Sequence, residues 1–284
     1  MDVKSQSLEA AMMRPEAQTT SETARQRDGG GSFALFLVKL VVAVLLLRTL
    51  GFSPFSIPSE SMLPRLMNGD YLLAAKWPYG ISRHSLPFAL PLPEGRLLAR
   101  SPERGDVVIF KHPVDGRDYI KRVIALPGDS IGVMGGQLVL NGKLVERAAI
   151  ADFLVPLSPN TGCEWGGEAT RLADGRGACR YRRFRETLPG GTSYEVLDFG
   201  LTTGDSYTPV RVPEGTMFVM GDNRDNSRDS RWQAAAGDAV GMVPQDRLVG
   251  RAGVLVWSTD GSAEWVKPWT WVSAARWARI GGTL

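Results

Sequence analysis

The first 31 residues show no apolar period and close on Gly29-Gly30-Gly31, which reads as a disordered tail. Phe33 to Phe52 then runs apolar, with Lys39 and Arg48 its only charges. As a helix that run would reach about 30 Å, the thickness of a bilayer's hydrocarbon core. A single transmembrane helix over 32–52 is therefore predicted. It reads as an uncleaved anchor, because it starts late, contains a lysine, and is followed by Gly51-Phe52-Ser53-Pro54 rather than an Ala-x-Ala exit. Beyond it the pattern changes to short alternating runs between turn residues: Tyr71–Ala75, Val107–Phe110, Tyr119–Leu126, Ser130–Val133, Gln137–Leu140, Met217–Met220 and Leu248–Trp257. Asn141-Gly142 supplies a tight turn. Together these predict a mostly β fold, an antiparallel mixed sheet or barrel behind the helix. Between 146 and 211 the runs break up and Gly, Arg and Thr rise. An inserted smaller β subdomain is predicted there, dividing the core into 53–145 and 212–284.

Composition narrows the class. With 43% hydrophobic and 22% charged residues the chain is not globally disordered, and 32 Gly with 18 Pro suit many turns between short strands. A net charge of +3 is too mild to argue for nucleic acid and implies at most a weak attraction to anionic lipid. The one dense basic run, Arg180 to Arg185 with Tyr181 and Phe184 interleaved, reads as a solvated edge. Cys163 and Cys179 are the only cysteines and have no histidine nearby, so a zinc site lacks ligands. A disulfide is expected, with two unpaired thiols as the alternative. It would place the insert in an oxidising compartment and the amino terminus in the cytoplasm, where charge alone is undecided: Arg25 and Arg27 precede the span, Arg48 and Arg65 follow it. Five of the eight tryptophans (Trp257, Trp265, Trp269, Trp271 and Trp277) lie near the carboxy terminus, suiting either a membrane interface or core packing.

Candidate chemistry starts from scarcity. The only histidines, His84 and His112, stand in no nucleophile or metal setting. A serine nucleophile in Ile-Pro-Ser-Glu-Ser-Met-Leu-Pro (57–64) would need another base, and a lysine can serve only when neutral. A free amine titrates near 10.4, so burial must depress it by about two units or more. Lys121 lies in a run whose alternation puts it with Val123 and Ala125 on one face. The third segment, Gly-Asp-Asn-Arg-Asp-Asn-Ser-Arg-Asp-Ser-Arg (221–231), does not fit a calcium loop, since Arg224 and Ser227 occupy positions where acceptors or glycine are needed. A turn held by Asx hydrogen bonds leaves unexplained why three arginines and three aspartates share eleven residues with a small hydroxyl in their midst.

In their order these three segments resemble bacterial type I signal peptidases, membrane-bound Ser-Lys proteases that cut signal peptides from exported proteins. Arg104 to Val108 and Arg276 to Gly281 extend the likeness, which runs from about Leu50 to the end without the insert. The resemblance implies Ser61 as nucleophile, Lys121 as general base, and an oxyanion hole made by the Ser59 side chain and the Ser61 N–H. It further implies Ser227 as the hydroxyl orienting the lysine, with Asp222–Arg122 and Asp229–Arg231 as structural ion pairs. An extended signal-peptide segment would pair along Phe55 to Pro58, with Ile57 and Ile120 shaping pockets for small side chains. No metal or cofactor is implied; the partners are signal peptides of exported preproteins and the lipid bilayer. The implied location is the bacterial plasma membrane, single-pass, with the catalytic domain on the periplasmic face. A specialised pilin- or conjugation-type peptidase of the same family and a catalytically silent membrane-tethered binding protein are the alternatives. Self-cleaving repressors are disfavoured by the span and by the lack of DNA-binding helices. Three departures stand out: Glu60 where glycine is common, Arg65 where threonine is common, and a longer stretch at Ala234 to Val240, which points to altered substrate preference.

Overall fold

The computed structural model describes residues 19–46, 51–82, 95–163, 166–264 and 266–284, in two compact units: helix α1 (Thr19–Leu46) and the β-rich body after it. The helix begins at Thr19, inside the stretch read as a tail. Its apolar part carries exposed side chains all round, Phe33, Phe36, Val38 and Val41 among them. Among the described residues no helix is long and apolar enough to cross a membrane. Phe33 to Leu46 would reach only about 21 Å at 1.5 Å per residue, and positions 47–50 of the predicted span lie outside the described residues. At its other end the span as read runs one residue into the body, because Phe52 opens a strand.

Seventeen strands are described in the body. In chain order they are β1 (Phe52–Ser56), β2 (Asp70–Ala75), the short β3 (Ile81–Ser82) and β4 (Arg96–Leu97), then β5 (Val107–Lys111) and β6 (Asp118–Ala125). Next come β7 (Ser130–Met134), β8 (Gln137–Leu140) and β9 (Lys143–Leu144), followed by β10 (Glu146–Pro156), β11 (Glu168–Arg171), β12 (Gly177–Thr187) and β13 (Ser193–Leu197). The last four are β14 (Ser206–Arg211), β15 (Thr216–Met220), β16 (Val243–Pro244) and β17 (Leu248–Ser258). All seven runs read as strands from their alternation are strands, each displaced by a residue or less at either end. Asn141 and Gly142 both take positive φ, 53° and 77°, as a two-residue hairpin turn with the native twist requires.

The main sheet runs β1-β2-β17-β5-β6-β15-β16, with every neighbouring pair antiparallel. β1 forms one edge and contains Pro54, a residue that edge strands tolerate. The insert is a second sheet in which β12 is flanked by β10 on one side and by β11 and β13 on the other. β14 leaves that sheet to pair with β7, so the insert's own sheet ends at Leu197. Because β12 is central, its arginine run is not the sheet edge read from sequence. Tyr181 and Cys179 are buried in the core, while the half-buried Arg183 pairs with Glu195 at 2.9 Å. Near the carboxy terminus Trp269 and Trp277, on and after helix α2 (Trp269–Ala274), are 69% and 58% exposed, so the core-packing reading does not hold for these two; Trp265 lies outside the described residues.

Two cores meet at the segment after β1. A single turn, closed by the Leu66 N–H on the Met62 carbonyl at 2.8 Å, sends Met62 and Leu66 into the sheet's core against Leu72, Ile109 and Leu255. The neighbouring pair Leu63 and Met67 enters the insert's core against Val155, Cys179 and Leu197. Residues four apart stack on one face of a turn, so this spacing wedges the turn between both cores. Each buried side chain contributes roughly 2 kcal/mol, and together they fix the residue at the head of the turn, Ser61.

Candidate active site

Ser61 stands where β1 has left its ladder. The last pairing contacts are the Ile57 N–H to the Asp70 carbonyl at 2.8 Å and the Gly69 N–H to the Ile57 carbonyl at 3.0 Å. Lys121 arrives from β6, whose burial changes abruptly: Asp118 is exposed, and Lys121 is the first fully buried position. Pairing of Val108 with Lys121 fixes its height in the sheet. Lys121 Nζ lies 2.6 Å from Ser61 Oγ, with the lysine only 4% exposed. Burial lowers the amine from 10.5 to about 8; the Asp229 and Asp222 carboxylates pull it back up, and Arg231 pushes it further down. The amine thus has a substantial neutral fraction near pH 8 and contacts a hydroxyl, the geometry by which a lysine accepts a serine proton.

The 221–231 loop closes over this pair, and its charges have partners. Arg122 holds Asp222 through two bonds of 2.7 and 2.6 Å and also donates to the Gly105 carbonyl. Arg231 grips Asp229 through 2.9 and 3.0 Å bonds, and Asp229 accepts the Gly221 N–H. Arg224 reaches into the insert to a buried pair with Glu186, which also accepts the Tyr194 hydroxyl at 2.9 Å. Asp225 accepts the Phe199 N–H and the Thr202 hydroxyl, and Arg228 makes a bidentate pair with Asp238. Ser227 Oγ is buried and forms no hydrogen bond among the described residues, to Lys121 included. It sits against Gly221, where an added Cβ would overlap both Ser227 Oγ and the Ser61 carbonyl.

A cleft of about 400 Å³ opens beside the pair, lined by Phe55, Ile57, Pro58, Ser59 and Ile120 together with Ser61 and Lys121. All four residues expected to meet substrate therefore share one wall system with the nucleophile and base. Gly237 and Asp238 from the longer 234–240 stretch reach its rim. That stretch is pinned by the Arg228–Asp238 pair, by the Gly237 N–H on Asp115 at 2.8 Å, and by buried His112, whose Nε2 is 3.0 Å from the Ala239 carbonyl. His112 is thus a structural link away from the nucleophile, while His84 lies outside the described residues. In the insert Cys163 and Cys179 form a disulfide.

The family described as signal peptidase, peptidase S26, matches residues 31–257. The chain belongs to that family. It is a serine peptidase, a hydrolase of peptide bonds. Signal peptidase I of Rickettsia typhi is 34% identical over 257 residues, covering 87% of this chain and 85% of the relative. That of Rickettsia felis is 36% identical over 250 residues, covering 84% and 82%. A solved signal peptidase I from Enterococcus faecalis V583 aligns with 54% of this chain and 97% of its own at 24% identity and a TM-score of 0.28, too loose a superposition to bear on the site.

Within this signal peptidase site, three contributors were not picked out from sequence. Gly221 supplies clearance for the nucleophile's carbonyl. Asn223, fully buried, donates its side-chain amide to the Glu60 carbonyl at 3.2 Å and its backbone N–H to the Ser61 carbonyl at 3.1 Å, so both peptides around the nucleophile rest on it. Glu186 neutralises Arg224 from 38 residues away. A signal for the first two existed, because both lie in the polar loop; nothing in the sequence ties Glu186 to that loop.

Proposed function

We propose that this chain removes signal peptides from exported preproteins by Ser-Lys dyad catalysis, anchored in a bacterial plasma membrane with its β-rich body on the periplasmic face. The observation that carries the reading is the 2.6 Å contact between a buried lysine amine, lowered to about 8, and the Ser61 hydroxyl. Neutral Lys121 takes the Ser61 proton as Oγ attacks the scissile carbonyl. It then gives that proton to the leaving amine, which releases the mature chain and leaves the signal peptide esterified to Ser61. Lys121 next deprotonates a water that hydrolyses the ester and restores the serine. The Ser61 N–H and the Ser59 hydroxyl stabilise the oxyanion, each donor being typically worth about 3 kcal/mol. Ser227, whose buried Oγ forms no hydrogen bond among the described residues, is available to orient the amine once Lys121 is neutral.

The substrate lies extended along the free edge of β1, as added strands do, with Ile57 and Ile120 limiting two alternate side chains to small residues of an Ala-x-Ala kind. Exposed apolar side chains around α1 support its role as the membrane anchor, since such a surface is unstable in water. The deciding experiment incubates detergent-solubilised protein with a preprotein bearing an Ala-x-Ala exit. Wild type is expected to release the mature chain, and Ser61→Ala and Lys121→Ala to release none. Lys121→Arg is expected to be equally inactive, because a guanidinium stays protonated. Turnover near the wild-type rate by any of the three variants would overturn the dyad.

A further inference from the structure

Ser61 stands at the mouth of two clefts. One is the cleft floored by Phe55, Ile57, Ile109 and Ile120. The other, about 440 Å³, shares Pro58, Ser59, Ser61 and Asn226 with the first and has a different chemistry: its walls add Glu60, Asn68, Asn160 and Thr161. A peptide bond attacked at Ser61 has its acyl half on one side of the serine and its amine half on the other. We propose that this polar cleft binds the first residues of the mature chain, as an extended segment recognised through its backbone and short polar side chains. We further propose that the Cys163–Cys179 disulfide holds the cleft's far wall. The inference rests on the dyad reading above, which makes the apolar cleft the acyl side.

The wall is a built structure from three distant parts of the chain. Its loop turns on the mutual bridge of Ser158 and Thr161, each N–H bonding the other's carbonyl at 3.0 Å. Asn160 donates Nδ2 to the Thr259 carbonyl at 3.1 Å, and its N–H to the Asp260 carbonyl at 3.3 Å. Arg276 clamps both walls at once, reaching the Asn68 carbonyl at 2.8 Å and the Thr161 hydroxyl at 3.0 Å. Two residues beyond Thr161 the chain is tied by Cys163 to Cys179, which is fully buried in the core beneath β12. Asn160 keeps a buried Oδ1 with no partner among the described residues. That oxygen packs against Gly261, so the Asn160 amide serves the wall, and the polar lining of Glu60, Asn68, Thr161 and Asn226 is what suits an extended segment offering backbone and short polar groups. The polarity matches what leaves the site: the residues after the cut become the exposed amino terminus of an exported protein, whereas the residues before it bear small apolar side chains.

The test compares two peptides with the same residues before the cut. One continues for six polar residues beyond it, and the other ends in an amide after the first. Their kcat/KM values are measured on the full chain in detergent for wild type, for Asn160→Ala, and for the double variant Cys163→Ser with Cys179→Ser, with melting temperatures recorded alongside. The long-over-short preference is expected to fall about tenfold in both variants, as loss of one or two hydrogen bonds implies. An unchanged preference in a variant that keeps the wild-type melting temperature, or an equal rate loss on both peptides, would overturn the proposal. Asn160→Asp, which keeps the side chain's size but removes the Nδ2–H donated to the Thr259 carbonyl, is expected to lose the preference as Asn160→Ala does and decides the matter if the double variant does not fold; a preference kept at the wild-type level would overturn the proposal. Failure of the dyad reading would look different, as cleavage of both peptides by Ser61→Ala.

Discussion

At the scale of single residues the site depends on how little room surrounds Ser61. Gly221→Ala would drive a methyl group into Ser227 Oγ and the Ser61 carbonyl, and the nucleophile must shift to relieve it. A displacement of about 1 Å costs on the order of a hundredfold in rate. Purified Gly221→Ala is therefore expected to lose about that much in kcat with KM little changed, in steady-state assays. Lys121 sets the pH response. Its amine titrates at about 8 in the fold against 10.5 when exposed, so activity is expected to rise with pH through a limb near 8, measured as kcat/KM. Between those two values the unfolded chain binds more protons than the folded one, so stability rises with pH there; below both, the amine is protonated in either state and contributes no slope. The unfolding free energy of wild type minus that of Lys121→Met, from urea titrations, should climb from pH 8 to 10 and stay flat below. A difference without that climb would remove the buried amine from its assigned state.

Among elements, the loop after β15 and the insert are tied by a buried ion pair, Arg224 with Glu186, 2% and 1% exposed. Removing one partner of such a pair leaves an uncompensated charge in low dielectric, at about 3 kcal/mol or more. Glu186→Gln is expected to lower the unfolding free energy by that amount in urea and to reduce activity through the loop, although Glu186 touches no reacting group. The 234–240 stretch makes a second such connection. Asp238 and Gly237 stand on the rim of the apolar cleft, held by Arg228 and Asp115. Asp238→Ala frees that rim; the exposed pair itself is worth at most about 1 kcal/mol, so stability should barely move. Selectivity among signal peptides differing upstream of the cut should change, read as relative kcat/KM across a peptide panel.

For the whole molecule, the wedge after β1 makes the nucleophile's position a property of two cores. Met62 and Leu66 belong to the main sheet and Leu63 and Met67 to the insert, so loosening either core moves Ser61. Leu63→Ala is expected to cost about 3 kcal/mol by transfer and cavity terms, and to lower kcat more than an equally destabilising substitution in the separate core around Ile131. Urea unfolding and steady-state rates on the same preparations check both halves. The apolar helix α1 carries the corresponding expectation for location: the full chain should remain with membranes after alkaline carbonate extraction, and its release would count against the anchor.

Seven of the seventeen described strands, and the serine and lysine that lie 2.6 Å apart, were legible from sequence, because both are local: alternation is a property of neighbouring residues, and the motifs around Ser61, Lys121 and Ser227 are contiguous. The strands of the insert were located only as a region, since β10 and β12 are largely exposed on one side and their alternation is interrupted by a register shift near Ile150 and Phe153. The arginine run was placed on an edge because residue order does not reveal that β11 and β13 both pair with β12. Sequence alone determined which groups have the chemistry to form a Ser-Lys dyad. The tertiary structure decided what it could not: that Lys121 meets Ser61 at 2.6 Å in a buried setting, and that Ser61 also lines a second, polar cleft. Distance and dielectric depend on which strands pair and which cores close, and those are long-range facts that no stretch of neighbouring residues contains.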